Sequence, residues 1–401
     1  MQPDSSAPLK PPAGHASDLP WVRLRSASPS PHVYKRMVRD ADPKARPGDI
    51  VAVYDKSDVP YGAALYNPYS QIALRMLTKD LAGFGSTEEF FARRLERAVG
   101  LRRDILGLDK TTDAYRLVYD LGDGLPGLVV DRYGEHLVLD FYSLGMFKRA
   151  EIIEGSLRSL FPGAKFVRRA SDYTQKMEGF RVPKGPEVRT RIRENGVAFE
   201  VEPSGGYKTG FFCDQRDNRL AVAALSSGRR VLDVCSYTGG FGLYAKKLGG
   251  ASEAVCVELD PEASALARKN ANINQVKMET VCVDAFPYLR QAAVNRQSYG
   301  LVVLDPHKLI SSKEEFLEGR QKYIDFNKLG LGVLEAGGLL VTCSCSGMLS
   351  WEDFTRVVRT AAGVMGRRLQ ILRRSGAGPD HPVAIDYPEG EYLKVLWCRA
   401  F

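Results

Sequence analysis

Five short apolar runs beyond residue 230, separated by stretches with helical spacing, constrain this chain more than any other feature of its sequence. RVLDVCS (230–236), EAVCVEL (253–259), ETVCVD (279–284), GLVVLD (300–305) and GLLVTCSC (338–345) are dominated by valine, leucine and cysteine. Strands that are apolar throughout and alternate with helices require a parallel sheet covered on both faces, a doubly wound α/β unit. Asp260-Pro261 provides a helix cap and a proline at the first helical position, so a helix is expected from there to about Asn274. Two final runs, LQILRRS and EYLKVLWCRA, predict an antiparallel edge to this sheet.

A chain of 401 residues exceeds one such unit. Nine of the 22 prolines fall in the first 50 residues, which predicts a disordered tail over 1–20. Short runs at 47–55, 61–67 and 72–77, broken by Gly, Pro and Asn, predict a small β-barrel over 21–84. Ser86 followed by Glu89 is a capping box that opens a helix carrying Arg93, Arg94, Arg97, Arg102 and Arg103. That run reads either as a solvated face or as an RNA contact. A second β-rich block (115–142) and a further helix and strand complete a central α/β domain over 85–190, and 191–401 holds the large sheet.

The balance of 44% hydrophobic and 26% charged residues is that of a globular protein, and no run approaches the roughly 18 apolar residues that span a bilayer. All seven cysteines follow residue 212 at unrelated spacings, which argues against a disulfide framework and for a reducing cytoplasm. The formal charge of +8 is not gathered into a tail; it suits a polyanionic partner without requiring one.

Ligands of an open α/β sheet bind beyond the carboxyl ends of its strands. The first strand contains Asp233 and ends in a turn with Gly239 and Gly240, where backbone N–H groups can approach a ligand unobstructed. The second ends in Glu258, placed to accept from ribose hydroxyls, followed by Asp260, which reads as the helix cap. The third ends in Asp284, within reach of an adenine amino group, and the fourth in Asp305, Pro306, His307 and Lys308. Cys343 and Cys345 point to one face of the fifth strand, and Cys345 is nearer the cleft; Cys235, Cys256 and Cys282 read as small buried hydrophobes. No second pair or histidine completes a metal site around the CxC. Just upstream, 202–219 gathers polar, aromatic and cationic residues behind a Gly205-Gly206 turn.

These motifs resemble one family, the PUA-domain-containing, S-adenosylmethionine-dependent large-subunit (23S) ribosomal RNA cytosine-5 methyltransferases. GGYKTGFFCDQRDNR, VLDVCSYTGGFG, LDPHK, CSCSG, GDGLPGLVVDRYG and the terminal DHPVAIDYPEGEYLK carry the likeness. His307 stands where the family usually has a second proline. The resemblance implies a PUA-like RNA-binding module, a central α/β domain and a class I methyltransferase domain. It implies S-adenosyl-L-methionine as cofactor, bound by Lys208, Thr209, Phe211, Asp214, Gln215, Arg216, Asp233, Tyr237, Thr238, Gly239, Gly240, Glu258, Leu259, Asp284, Ala285 and Asp305. It implies Cys345, Asp305 and Lys308 as catalytic residues, no metal, and ribosomal RNA or a pre-ribosomal particle as partner, with room for a homodimer and no membrane.

Carbon 5 of cytosine is a poor nucleophile, and addition of a thiolate at carbon 6 makes it enamine-like. An ordinary cysteine, with a pKa of about 8.5, needs a positive neighbour to ionise at neutral pH, and Lys308, His307 and Lys208 are the candidates. Asp305 is expected to hold the ring nitrogen and amino edge of the base. The rival readings are a nitrogen methyltransferase needing no thiol and a non-catalytic RNA-binding or ribosome-assembly factor. The glycine turn lacks GxGxxG, which disfavours an NAD-linked oxidoreductase.

Overall fold

The computed structural model describes residues 10–27, 29–204 and 209–401. Near the N-terminus, six strands form one curled sheet in the spatial order His32–Tyr34, Ile72–Thr78, Pro60–Tyr66, Ile50–Tyr54, Trp21–Leu24, Val38–Ala41. Alternate side chains such as Val22, Val33, Val51, Val53 and Leu74 fill its interior. The stretch 10–20, expected within a disordered tail, is docked on this sheet. Ala13 N–H donates to Asp58 (3.1 Å), and His15 Nδ1 lies 2.8 Å from the Tyr54 hydroxyl. Its prolines restrict the chain to an extended path that needs few contacts to hold it.

The central sheet runs Lys165–Arg169, His136–Phe141, Leu128–Tyr133, Ala114–Tyr119. Its inner face packs Tyr115, Leu117, Val130, Leu139 and Phe141 against helices Thr87–Gly100 and Ala150–Leu160. The first of these helices starts where the capping box predicts, with Ser86 Oγ accepting from Glu89 N–H. The opposite face is polar, with Arg116, Asp131 and Asp140 side by side on adjacent strands. Buried Glu178 ties this unit to the N-terminal sheet, accepting from Asn67 Nδ2 (3.0 Å), Ser70 Oγ (2.7 Å) and Arg75 (3.0 Å).

A hairpin, Thr190–Glu194 with Val197–Val201, leads into the seven-stranded sheet. Its order is Glu279–Cys282, Glu253–Glu258, Arg230–Val234, Tyr299–Leu304, Leu334–Ser344, Lys394–Ala400, Leu369–Ser375. The first five strands are parallel; Lys394–Ala400 is antiparallel and slots between the fifth and the outermost strand. The order reverses on either side of Arg230–Val234, which is where a crevice opens at the strand tips. Helix Pro261–Ile273 begins as predicted, with Asp260 accepting from Glu262 and Ala263 N–H. Among the described residues no helix is long and apolar enough to cross a membrane, and every described cysteine is a free thiol.

Candidate active site

The first strand ends in a turn under strain. Cys235 (φ 60°) and Tyr237 (φ 50°) both adopt the left-handed region, which costs a residue with a side chain about 1–2 kcal/mol. Hydrogen bonds hold it there: Tyr237 N–H donates to Glu258 Oε2 (2.7 Å), Ser236 N–H to the Val257 carbonyl (3.0 Å) and Gly242 N–H to Asp233 Oδ2 (3.0 Å). Cys235 therefore lies in this turn, one residue past the strand, and Cys282 is exposed; only Cys256 of the three is the buried hydrophobe expected. Gly239 (φ 79°) is in the left-handed region, and a Cβ there would also crowd Met278 Cε (2.9 Å) and Ala267 Cβ (3.2 Å). A Cβ on Gly240 would stand 3.0 Å from Arg219 Cδ. Thr238, just before them, is buried.

Asp233 is wholly buried, and its Oδ1 has no hydrogen-bond partner among the described residues. Burial, with Asp305 and Glu258 nearby and only the Gly242 N–H and the Cys256 thiol opposing, pushes its carboxyl up to about 7. Glu258 spends one oxygen on Tyr237 N–H and the other on Asp260 N–H (3.0 Å), leaving lone pairs for further donors. Asp284 is exposed and caps helix Ala285–Val294 through Phe286 N–H (2.7 Å), so it shares the capping role that Asp260 has one strand away. Leu259 is 64% exposed at the same rim, and Ala285 is partly buried. An acidic crevice with open backbone and an orphaned buried carboxyl oxygen fits a ligand that brings positive charge and hydrogen-bond donors.

The segment 209–216 serves largely as a strut. Thr209 Oγ1 donates to Asp131 Oδ2 (2.5 Å), and Phe211 is buried against Phe199 with the Arg219 guanidinium over its ring. Asp214 accepts from the Tyr392 hydroxyl, and Arg216 forms a bidentate pair with Asp380 (2.9 and 3.0 Å). Three residues of the segment reach the strand tips: Gln215 donates from Nε2 to Asp305 Oδ2 (3.0 Å), the Gly210 carbonyl accepts from the Tyr237 hydroxyl (3.2 Å), and Phe212 meets the Tyr237 ring edge-on. Lys208 and the Gly205-Gly206 turn lie outside the described residues.

Cys343 is fully buried, and burial followed by the charge of Asp305 raises its thiol far above the ordinary range. Cys345, one step past the strand end, is half-buried, with its Sγ 3.9 Å from the Pro306 carbonyl. His307 and Lys308 are exposed beyond the fourth strand. A buried cation that interacts electrostatically with Cys345 is Lys394, which sequence reasoning missed. Its Nζ donates to the carbonyls of Tyr392 (3.1 Å) and Ser346 (3.4 Å), and burial lowers its pKa while Glu391 and Cys345 pull it up. Strand pairing places Lys394 opposite Ser344, immediately before the cysteine. The arginines at 93–103 also divide: Arg102 is fully buried, bidentate to Asp123 (2.5 and 2.9 Å), and so is neither a solvated nor an RNA-facing residue. No grouping of metal ligands occurs among the described residues.

Comparison with known proteins places this geometry in a family. Residues 182–382 match the S-adenosylmethionine-dependent methyltransferase model, and residues 27–79 match the PUA-like domain. The chain is 36% identical to the Ribosomal RNA large subunit methyltransferase I of Photobacterium profundum, over 92% of this chain and 94% of that protein. It is 37% identical to the protein of the same name from Aeromonas salmonicida, over 92% and 95%. A solved structure of a sam-dependent methyltransferase from Streptococcus mutans superposes with a TM-score of 0.78 at 20% identity, covering 94% of this chain and 99% of that one. A methyltransferase complexed with SAH superposes with a TM-score of 0.77 at the same identity and coverage. The architecture is thus a class I methyltransferase sheet behind a PUA-like domain, and the cofactor is S-adenosylmethionine, whose sulfonium suits the acidic crevice. The chain belongs to the S-adenosylmethionine-dependent large-subunit ribosomal RNA methyltransferase I family.

Proposed function

We propose that this chain methylates carbon 5 of a cytosine in large-subunit ribosomal RNA through a covalent adduct on Cys345. The observation that carries the reading is a half-buried thiol just past a strand tip, with the buried ammonium of Lys394 coupled to it and Asp305 at the tip of the adjacent strand. S-adenosylmethionine supplies an electrophilic methyl group on a positively charged sulfur. Tyr237, Thr238, Gly239, Gly240 and Glu258 would hold its methionine and ribose, and Leu259, Asp284 and Ala285 its adenine. Asp233, in the first strand beneath the turn, would balance its positive charge.

Lys394 favours the thiolate form of Cys345, which adds to carbon 6 of the base. Asp305, fixed by Gln215 Nε2, holds the ring nitrogen and amino edge as charge shifts onto them. Once carbon 5 has taken up the methyl group, loss of its proton and expulsion of the thiolate restore the aromatic ring. Lys308, exposed at the mouth, is assigned to the phosphate backbone of the incoming nucleotide rather than to the thiol. The target base must leave any helical stack to reach this depth.

Cys345→Ala is the direct test, with methyl transfer to ribosomal RNA followed by nucleoside mass spectrometry. The expected result is loss of 5-methylcytidine by more than about 10³-fold with unchanged S-adenosylmethionine affinity. Full activity in that variant would rule out the covalent route and leave a nitrogen methyltransferase built on Asp305.

A further inference from the structure

A cavity of about 310 Å³ lies between the polar face of the central sheet and the loop that precedes the last strand. None of the strand-tip residues of the cofactor crevice lines it. Its size is at the small end of the roughly 300–1,000 Å³ range of ligand pockets. Arg116 and Asp140 form its floor, and Tyr119, Tyr142, Tyr387 and Tyr392 surround it.

The walls are fixed before any ligand arrives. Tyr119 donates its hydroxyl to the Gly390 carbonyl (2.8 Å), Tyr142 to Asp140 Oδ2 (3.1 Å) and Tyr392 to Asp214. With these hydroxyls committed elsewhere, the rings are what remain for a ligand. The loop sits hard on the central unit, since a Cβ on Gly122 would fall 1.9 Å from the Pro382 carbonyl. Asp120, at the wall, is held in the left-handed region (φ 43°) and accepts from Gly127 N–H at 2.5 Å. Rigid aromatic rings around a buried carboxylate suit a flat, heteroaromatic molecule that carries N–H donors. Asp140 lies 3.7 Å from Arg169 and accepts from Tyr142, yet burial outweighs both and raises it to about 6, so a further donor to its carboxyl is favourable.

Position narrows the ligand further. At one end of the loop, the ring of Tyr387 meets His32 of the PUA-like sheet edge-on at 5.0 Å. At the other, Tyr392 is two residues from Lys394, the cation coupled to Cys345. The cavity therefore lies between the PUA-like domain and the thiol. We propose that it receives a second nucleobase of the substrate RNA, distinct from the methylated one, stacked among the tyrosines with an exocyclic amino group donating to Asp140. This rests on the RNA substrate proposed above and adds a specificity site to it.

The test uses the full-length chain and large-subunit ribosomal RNA. Tyr387→Ala and the isosteric Asp140→Asn should each raise KM for RNA by about 10-fold, with kcat and S-adenosylmethionine affinity within about twofold of wild type. Ultraviolet crosslinking with peptide mapping should find a nucleotide other than the methylated one on the peptide spanning 382–392 or the one containing Tyr142. Unchanged KM in both variants together with no crosslink at either peptide overturns the proposal. So does a crosslink there to the methylated nucleotide itself. Crosslinking does not depend on which atom is methylated, so a methyl group found elsewhere than carbon 5 would overturn the proposed reaction while the cavity is still judged by its own data.

Discussion

Asp233, in the first strand of the methyltransferase sheet, and Asp380, in the loop before the last strand, are both completely buried. Burial pushes Asp233 up to about 7, with the acids Asp305 and Glu258 adding to it. Burial opposes ionisation of Asp380 as well, but His381 and Arg216 outweigh it and hold that carboxyl far below the usual range. Asp380 also accepts from Arg116 N–H (3.0 Å), and its carbonyl accepts from Arg102 (2.6 Å), so it fastens the methyltransferase unit to the central one. The charge of Asp380 is thus balanced within the protein. That of the cofactor crevice is not, and its missing positive charge must come with the ligand.

The largest expected effect is at the seam. Asp380→Ala takes the bidentate partner from buried Arg216, leaving it only the half-exposed Asp217, and should cost about 3–5 kcal/mol in urea unfolding. A loss below about 1 kcal/mol would mean that solvent reaches the seam and that the two aspartates do not differ as described. Because the folded-state pKa of Asp380 is depressed, its stabilisation is present at neutral pH and lost as pH falls through the carboxylate range. Asp233 has the opposite sign. Its pKa is raised from 3.8 to about 7, so the folded state binds the extra proton between those values and loses stability as pH rises through them. Asp233→Asn should therefore gain on wild type with rising pH, by at most about 1.4 kcal/mol per pH unit, while binding S-adenosylmethionine more weakly. A pH-independent difference would contradict this.

Smaller effects sharpen the same contrast. Gly239→Ala pushes a Cβ toward Met278 and Ala267 and strains a left-handed residue, so calorimetry should find S-adenosylmethionine affinity reduced by about 10-fold. Lys394→Met removes the cation beside the thiol, and the acid limb of the kcat profile should move to higher pH by about one unit. An unmoved limb would assign thiolate stabilisation to another group.

The crevice was legible in the sequence, and the seam was not. Apolar runs ending in Asp, Glu and paired glycines mark strand tips directly, because strand ends and switch points follow from local patterning. Arg216 and Asp380 are 164 positions apart, and no periodicity links them. Composition groups Arg102 with its neighbours, although five residues past Arg97 it falls about 140° around a helix, on the face turned towards the protein. Lys394 depends on which strand pairs with Leu334–Ser344, and an antiparallel strand inserted ahead of the edge is not announced by its own residues. The prolines at 10–20 signal a restricted backbone as much as disorder, and here the restricted reading prevails.

The account stands on the sulfur of Cys345 bonding to the target base. Incubating the protein with S-adenosylmethionine and a ribosomal RNA fragment carrying 5-fluorocytidine at the methylated position removes the proton whose loss would release the enzyme. Peptide mass spectrometry should then find the RNA fragment's nucleotide, methylated, on the peptide containing Cys345. Methylated natural substrate with no protein–RNA adduct on the fluorinated one, or an adduct on a different cysteine, would contradict it.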